Sequence, residues 1–550
     1  MDRKISYLII AINLHVLVAF SQLQTKSFHT YYKIDIYFNP DSGYINCKTE
    51  IQNPSDSSFL LTKTMKIHSI KSDGKSVSFH QKLSESSPNS FEISIPVIPL
   101  KIVIDYSGQI KTEDFPNHIS SINMVNKELI ELSDYIDWYP RMLNYPSFEY
   151  VLDVDLPSKY VTVLNGLLAK KEIINNRSIT RWKSHSMTSG ITLLAAPNLK
   201  KASSTLDGIT IEIYYDKIPK TYVDSMKIDL LRSVQLLTDL FGSTISENLI
   251  RIVYSPRSAG AYYRGSLIII SEKFALEELT LKYGYARDFR LNTHEIAHYW
   301  SVADVNSPDD WINEGLAEFS ALLISEKIFG KTFSGILLSE YRGIVHNTQT
   351  QTAIVETKGD SWEKEVNRYY KPTLLLNEIR EKYGEEKLRQ FLKTLNSHFI
   401  DSHSANTEIF LNVLEKSIGI EAKDYFDEAL HRKIWNPDRL SDNSSVLIDT
   451  ALIGKWVGQL TQFGLTARFV LNIFLKEGKL VPSLDSPDQN IKDISVYDFM
   501  VRNDTISFKV GIASASYKGR LDHNKCKIYG VWTQRGADYP LIISKGNSMK

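Results

Sequence analysis

Hydrophobic residues in the first third of the chain alternate with polar ones in short runs, a pattern typical of half-buried β-strands. Examples run from Tyr32 to Phe38, from Tyr150 to Pro157 and from Tyr160 to Leu164, and turn residues separate them. The charged positions fit the solvated faces of these strands. The pattern predicts an antiparallel β domain over residues 28–200 without a catalytic cluster of its own.

The pattern changes after about residue 200 to a mixture of strands and helices. A strand is predicted from Ile209 to Tyr215, and a helix from Tyr222 to Phe241 carries an apolar stripe and ends before Gly242. Two further strand candidates follow, Ile250 to Tyr254 and Leu267 to Ile270. The chain is then mainly helical, so we expect a second domain over residues 205–435.

The last hundred residues return to a strand pattern. Residues 436–447 are polar, include Pro437 and fit a linker. From Gly454 onward, glycines and aromatic residues punctuate about eight short strands. We expect a small β-barrel or sandwich over residues 450–545, with its aromatic side chains in the core.

Composition is ordinary for a globular protein of several domains. Hydrophobic residues make up 43% of the 550 residues and charged residues 23%. The formal net charge is zero, so no nucleic-acid partner is expected. Cys47 and Cys526 are too few for a disulfide framework, and their spacing leaves open whether they pair.

The N-terminus resembles a secretory signal peptide over residues 1–21. A charged start, Asp2-Arg3-Lys4, precedes an apolar run from Ile5 to Phe20, and Ala19-Phe20-Ser21 fits a cleavage site. The run is shorter than a membrane span requires, although an uncleaved anchor is the alternative. We therefore expect an exported protein, periplasmic or secreted, with no membrane span after cleavage.

The segment His294-Glu295-Ile296-Ala297-His298 carries the most specific chemical signal. Residues four apart lie on one face of an α-helix, so both imidazoles can bind one metal ion. Two histidines and one glutamate are a known ligand set for catalytic zinc, which keeps a fourth position for water. The motif predicts one zinc ion per chain, with Glu295 as general base. The alternative is a helix with buried or solvated histidines.

Glu314 is the predicted third zinc ligand. It lies in the segment Trp311-Ile312-Asn313-Glu314-Gly315, on a helix that Asp309 can cap and Gly330 can end. Acidic Asp310 in the first turn suits the helix dipole.

Glu318 lies one turn beyond Glu314 on the same helix face. Ligating histidines commonly donate their second ring N–H to a carboxylate, so Glu318 is predicted to orient His294 or His298. A surface glutamate is the alternative interpretation.

The histidine pair followed by Asn313-Glu314-Gly315 resembles the gluzincin metallopeptidases of the aminopeptidase N and leukotriene hydrolase family. Trp138-Tyr139-Pro140-Arg141 and Leu156-Pro157 resemble the family's N-terminal saddle, and the likeness covers about residues 28–435. It implies a multidomain α+β fold, with an antiparallel β saddle and a thermolysin-like catalytic domain, mixed at first and then helical. It also implies zinc-dependent hydrolysis of peptides or proteins.

The resemblance also implies a tyrosine that stabilises the tetrahedral intermediate. In the family it occurs at a Tyr-x-Lys-Gly segment downstream of the ligand helix, and Tyr369-Tyr370-Lys371-Pro372 occupies the corresponding place. Matching Lys371 to the family lysine assigns the role to Tyr369. Because proline replaces glycine at Pro372, Tyr370 is an alternative, as is an ordinary tyrosine at a helix start.

The spacing between the ligands departs from the family pattern. Fifteen residues separate His298 from Glu314, where the family usually has eighteen. A shortened loop after the first helix can absorb this difference. Glu318 as the ligand would leave nineteen, but the Trp-x-Asn-Glu-Gly context favours Glu314.

A second departure concerns the substrate. Aminopeptidases of the family carry a Gly-x-Met-Glu-Asn segment whose glutamate holds the free α-amine, whereas this chain has Gly260-Ala261-Tyr262-Tyr263-Arg264. Aminopeptidase specificity is therefore not expected. Tyr263, by stacking or hydrogen bonding, and Arg264, by favouring an anionic group, are candidate substrate-binding residues; for Arg264 the alternative is a surface or structural role.

The sequence supports one leading hypothesis, an exported zinc metallopeptidase that hydrolyses peptide bonds with metal-activated water. The region from Gly454 onward resembles a lipocalin-like or avidin-like β module attached to some exported bacterial hydrolases, which assigns it no function. Two alternatives use the same residues: a zinc hydrolase of a non-peptide substrate, and a binding protein with impaired catalysis.

Overall fold

The computed structural model describes most of the chain, in two compact units, Met1–Leu199 and Lys200–Lys550. The described residues are 29–112, 123–242, 248–257, 260–281, 283–300, 303, 307–348, 350, 352–357, 361–402, 405–433, 452–462, 465–476, 479–489, 491–502, 504–510, 515–522, 526–534 and 537–546. The predicted signal peptide and the predicted linker lie outside them. Within these ranges no helix is long and apolar enough to cross a membrane.

The first unit is built of β-strands. They are β1 (Thr30–Asn39), β2 (Tyr44–Gln52), β3 (Ser58–Thr62), β4 (Met65–Ser72), β5 (Lys75–Ser76), β6 (His80–Leu83), β7 (Ser90–Ser94), β8 (Lys101–Gln109), β9 (Met124–Val125), β10 (Ile130–Leu132), β11 (Arg141–Met142), β12 (Phe148–Pro157), β13 (Tyr160–Leu164), β14 (Leu167–Ile174), β15 (Arg177–Lys183) and β16 (Leu193–Pro197).

Three sheets organise this unit. The largest has the order β14-β15-β12-β1-β2-β8-β4-β5, and the two smaller sheets have the orders β13-β16-β10-β9 and β11-β3-β7-β6. Along β1 the alternation predicted from the sequence is observed, with Tyr32, Ile34, Ile36 and Phe38 buried in the core. The prediction of a wholly antiparallel domain is wrong at one pair, because β1 and β12 run parallel. Alternation shows which face is buried but not the direction of the neighbouring strand.

The second unit begins with a five-stranded sheet and continues with helices. Its elements up to residue 431 are β17 (Lys200–Leu206), β18 (Ile209–Tyr215), α1 (Lys220–Phe241), β19 (Leu249–Ser255), β20 (Ala261–Arg264), β21 (Leu267–Ser271), α2 (Glu272–Glu278), α3 (Gly284–Ala297), α4 (Asp310–Phe329), α5 (Lys331–Thr348), a 3-10 helical turn (Ile354–Glu356), α6 (Trp362–Glu365), a π-helical turn (Val366–Tyr370), α7 (Lys371–Tyr383), α8 (Glu385–Ser402), α9 (Thr407–Ser417) and α10 (Ile420–His431).

The five-stranded sheet has the order β17-β18-β19-β21-β20, so β20 is an edge strand. Strands β18, β19 and β21 run parallel. Helix α1 connects β18 to β19, as is usual for a parallel pair, whereas the connection from β19 to β21 contains the edge strand β20. Helix α1 buries the predicted apolar stripe, including Met226, Leu230 and Val234, and ends at Gly242 with φ of 90°. The predicted mixture of strands followed by helices is therefore confirmed.

The C-terminal region of this unit is a curled nine-stranded sheet. Its strands are β22 (Gly454–Gln462), β23 (Leu465–Lys476), β24 (Lys479–Ser486), β25 (Ile491–Ser495), β26 (Tyr497–Arg502), β27 (Thr505–Val510), β28 (Ala515–Asp522), β29 (Lys527–Gln534) and β30 (Ala537–Lys545). Their order is β25-β24-β23-β22-β30-β29-β28-β27-β26, so β25 and β26 form the two edges.

This sheet is a half-barrel, where the sequence predicted a small barrel or sandwich. A closed barrel has no edge strands, whereas the described residues of β25 and β26 each pair on one side only. The predicted aromatic core is observed, and it includes Trp456, Tyr517 and Trp532. The likeness to a lipocalin or avidin module stays a prediction.

The two cysteines are both thiols. Cys47 lies buried in β2, and Cys526 is exposed immediately before β29.

Candidate metal centre

The two motif histidines lie at the end of helix α3. His294 is within the last turn, and His298 is the C-cap residue with helical dihedral angles (φ −59°, ψ −15°). Both imidazoles therefore lie on one helix face, with ring centres 5.0 Å apart. Both side chains are buried.

Helix α4 supplies the third residue, Glu314. Gly330 ends the helix with φ of 87°, as predicted, and Asp309 occupies the N-cap position. The Asp309 side chain does not cap the helix, contrary to the prediction. It instead accepts hydrogen bonds from the backbone N–H (2.9 Å) and the hydroxyl (2.6 Å) of Thr407. Because Thr407 begins α9, nearly a hundred residues later, local sequence could not indicate this alternative donor.

One ligand atom from each of His294, His298 and Glu314 lies within 4.8 Å of the other two. Oε2 of Glu314 is 3.3 Å from Nε2 of His294 and 3.5 Å from Nε2 of His298. The structure thus brings together the three residues that the sequence predicted as metal ligands, despite the shortened spacing between His298 and Glu314.

Nδ1 of each imidazole, the ring nitrogen farther from Glu314, is held by a hydrogen bond that bears on whether the cluster can bind a metal ion. Nδ1 of His294 lies 3.0 Å from Oε2 of Glu318, and Nδ1 of His298 lies 3.2 Å from Oδ1 of Asn313. Both partners are acceptors, so each Nδ1 donates a hydrogen bond to its partner, and Nε2 of each imidazole faces Glu314.

Nε2 of His294, Nε2 of His298 and Oε2 of Glu314 therefore face one point. Oε2 of Glu314 is buried and has no hydrogen-bond partner among the described residues. Buried polar atoms are normally paired, so a cation is the natural partner here. The residues fit a tetrahedral zinc ion with three protein ligands and one open position.

The protein charges around the cluster reinforce this conclusion. Burial alone would lower the pKa of His294, but the carboxylates of Glu314 and Glu318 raise it to about 10. Burial would raise the pKa of Glu314, but the positive charge of His298 and the interaction with His294 lower it to about 2. The site therefore stabilises positive charge.

Glu295, the predicted general base, is buried beside the cluster. Burial raises its pKa to about 7, against the opposing effects of His294, Arg264 and Arg257. A carboxylate with such a pKa can take up and release a proton near neutral pH. Glu295 also lines a cavity of about 350 Å³ together with His294 and Tyr369.

Tyr369 belongs to the π-helical turn Val366–Tyr370. Its ring stacks on His294, with centres 5.6 Å apart and planes inclined by 20°. The alternative, Tyr370, lines the same cavity but packs against Tyr341 at 5.0 Å. Of the two tyrosines, Tyr369 is the one that lies against a metal-binding candidate.

The two candidate substrate-binding residues lie on the edge strand β20. The ring of Tyr263 is 6.0 Å from that of His298, so Tyr263 borders the cluster. Arg264 donates a hydrogen bond to the carbonyl of Tyr263 (2.7 Å), and its guanidinium lies 5.5 Å from the ring centre of Tyr262. The structure therefore brings Tyr263 to the site, and Arg264, whose charge lowers the pKa of Glu295, also has partners within its own strand.

Three residues at the site were missed from the sequence. Asn313 hydrogen-bonds His298, and its place next to Glu314 was a usable signal. Arg290 donates to both oxygens of Glu318 (2.6 and 2.5 Å), and Tyr341 also donates to that carboxylate. Arg290 lies one turn before His294 on α3 and could have been considered. Tyr341 comes from α5, and its sequence context gave no signal.

Comparison with solved structures identifies the fold. The chain resembles a two-domain M1 zinc metallopeptidase bound to L-tryptophan, with 15% identity, a TM-score of 0.58, and coverage of 74% of this chain and 95% of that one. It also resembles the M1 zinc metallopeptidase of Deinococcus radiodurans, both bound to a Tyr-Ser-Ala substrate (15% identity, TM-score 0.57, 74% and 96% covered) and in another crystal structure (14%, 0.55, 74% and 95%).

No protein-family model and no curated protein matches the sequence. At this identity the structural likeness shows the fold alone. The chain has the fold of an M1 zinc metallopeptidase, in agreement with the resemblance that the motifs indicated.

Proposed function

We propose that the protein is an exported zinc-dependent metallopeptidase, with one zinc ion held by His294, His298 and Glu314. The observation that carries the proposal is the convergence of one ligand atom from each of His294, His298 and Glu314 beside Glu295 and Tyr369. The M1 metallopeptidase fold supports it, and so do the peptide and the amino acid bound to two of the similar structures. Export rests on the charged start and apolar run of residues 1–21.

The chain's own residues divide the work of peptide hydrolysis. Zinc bound at the cluster would polarise the scissile carbonyl and lower the pKa of a bound water to about 7. Glu295 accepts the proton of the attacking water and returns it to the leaving amine. The Tyr369 hydroxyl donates a hydrogen bond to the oxygen that becomes negative in the transition state. Glu318 and Asn313 hold the two imidazoles in the tautomer that leaves Nε2 available.

The preferred substrate is a peptide held by its interior rather than by its terminal amine. Strand β20 provides Tyr263 and Arg264, and none of its four residues is a carboxylate. An ammonium group needs an anionic partner for a strong, oriented hydrogen bond. We therefore propose endopeptidase rather than aminopeptidase action.

Substitution of Glu295 by glutamine tests the mechanism. Glu295→Gln removes the base but leaves the three ligands, so the zinc content should be unchanged. The rate of peptide cleavage should fall by about two to four orders of magnitude, the usual contribution of general-base catalysis. Removal of zinc with a chelator should abolish cleavage by the parent protein, and added zinc should restore it.

The control is Glu386→Gln, which removes an exposed carboxylate that pairs with Arg389 on α8. This variant should cleave peptides at the parent rate. An undiminished rate in the Glu295→Gln variant, measured with any cleaved peptide, would refute the mechanism.

A further inference from the structure

Arg368 precedes Tyr369 in the π-helical turn and holds two carboxylates with one guanidinium. One terminal nitrogen donates to Oδ2 of Asp310 at 2.5 Å, and the other donates to Oε1 of Glu365 at 3.0 Å. The guanidinium carbon also lies 5.3 Å from the ring centre of Tyr369. Such π-helical turns often occur at functional sites, because the extra residue redirects side chains.

The partner Asp310 connects this turn to the metal centre. Asp310 lies in the first turn of α4, four residues before Glu314, so the two carboxylates share one helix face. Arg368 therefore joins the turn that carries Tyr369 to the helix that carries the proposed ligand Glu314, one turn before that residue. The planar fork of an arginine fixes both distance and direction between its partners, which a point charge does not.

Close packing leaves little room for the two segments to move independently. A Cβ atom placed on Gly315 would lie 2.5 Å from Cβ of Pro372 and 3.2 Å from the carbonyl oxygen of Arg368. The Thr373 hydroxyl donates to the carbonyl of Tyr369 at 2.7 Å. Gly315 is thus the residue next to Glu314 that permits the contact, and Arg368 supplies the oriented bonds across it.

We propose that Arg368 is a positioning residue for Tyr369, holding its hydroxyl in register with the metal centre through Asp310 and Glu365. The proposal rests on the proposed function, in which Tyr369 stabilises the oxyanion. Arg368 contacts Tyr369 and two carboxylates, and its charge also acts on Glu314. The inference is that its effect on the rate passes through Tyr369. Its contribution should therefore vanish when the tyrosine hydroxyl is absent.

A double-mutant cycle tests this dependence. In the parent protein, Arg368→Gln should lower kcat for peptide cleavage about 100-fold, the size expected when a catalytic group is misplaced by about 1 Å. KM and zinc content should change little. In the Tyr369→Phe background, the same substitution should change kcat less than about threefold, because the group that it positions is gone. Asp310→Asn should behave in the same way if Arg368→Gln does not fold.

The matched control is Arg389→Gln, which removes an arginine from an exposed ion pair with Glu386 (2.6 Å) and should leave kcat unchanged. Arg368→Lys keeps the charge without the fork and should recover only part of the rate. Equal losses of kcat in both backgrounds would overturn this inference but not the proposed function, because Arg368 would then act independently of Tyr369. A parent protein that binds zinc but cleaves no peptide would overturn both the inference and the proposed function.

Discussion

Glu318 lies 3.0 Å from Nδ1 of His294, and the same carboxylate receives hydrogen bonds from Arg290 and Tyr341. These four residues come from three helices, α3, α4 and α5. Arg290 neutralises the carboxylate of Glu318, and Arg290 and Tyr341 together orient it, which in turn fixes the tautomer of His294. The pKa of Glu318 accordingly falls to about 2, although burial alone would raise it.

Removal of this carboxylate should weaken metal binding. We expect Glu318→Ala to lower zinc affinity about 10- to 100-fold, because His294 loses the acceptor that orients it. It should also destabilise the protein by about 3–5 kcal/mol, because Arg290 is left as an uncompensated, mostly buried charge. Competition with a chromophoric chelator measures the first effect and denaturant unfolding the second.

Glu318→Gln serves as the comparison, since it keeps one acceptor oxygen for His294. Its zinc affinity should lie between those of the parent and of Glu318→Ala. If Glu318→Ala bound zinc as tightly as the parent, Glu318 would have no role in orienting the ligand.

Gly315 and Gly335 offer a matched pair of helix glycines. Gly315→Ala places a methyl group against Pro372, so it should destabilise the protein by about 1–3 kcal/mol. The substitution should also lower kcat, because it moves α4 away from Tyr369. Gly335 is exposed in α5, and a methyl group there would meet no atom within 4 Å, so Gly335→Ala should stabilise the protein by about 0.5–1 kcal/mol. Thermal unfolding of both variants measures the changes in stability, and peptide-cleavage kinetics measure the changes in kcat. If Gly315→Ala changed neither stability nor kcat, the result would contradict the close packing described above.

Asp288 should make the stability depend on pH. It is buried in α3 and accepts hydrogen bonds from Tyr222 (2.5 Å) and Tyr254 (2.7 Å), and burial raises its pKa from 3.8 to about 6. The folded state therefore binds a proton more tightly than the unfolded state. Protonated Asp288 therefore adds to the free energy of unfolding below about pH 4. This contribution, about 3 kcal/mol, is lost as the pH rises through 6.

Asp288→Asn measures this contribution, because asparagine does not titrate. The free energy of unfolding of the parent minus that of the variant should fall between pH 4 and pH 6 and then stay constant. A constant difference across this range would show that Asp288 keeps its ordinary pKa.

The N-terminus of the substrate should matter little. Matched peptides with free and acetylated N-termini should be cleaved at similar rates, because β20 supplies no carboxylate to hold an ammonium group. Liquid chromatography of the products measures both rates and the position of the cut. A strong preference for the free amine would instead indicate aminopeptidase action.

Local signals predicted the parts of the site that lie close together in sequence. The spacing of His294 and His298, the context of Glu314 and the end of its helix at Gly330 all follow from helix periodicity and capping, and the structure places these residues as expected. The curled C-terminal sheet was expected as strands because its glycines and aromatic residues mark each turn.

Long-range partners could not be predicted in this way. Asp309 was expected to cap its own helix, yet it pairs with Thr407 from a helix far along the chain. The π-helical turn that aims Tyr369 at His294 has no signature in hydrophobic spacing, and Arg368 gave no sign of its partner Asp310. Each of these contacts joins elements that only the folded chain brings together.

The order of strands in the C-terminal sheet has a mechanical consequence. Its two edges, β25 and β26, are consecutive in the chain and separated by the single buried residue Val496. The polypeptide chain therefore connects the two edge strands covalently at one corner of the sheet. Away from that corner the margins can spread without breaking any bond between the described strands, so the interior width is set by side-chain packing rather than by a continuous hoop of hydrogen bonds.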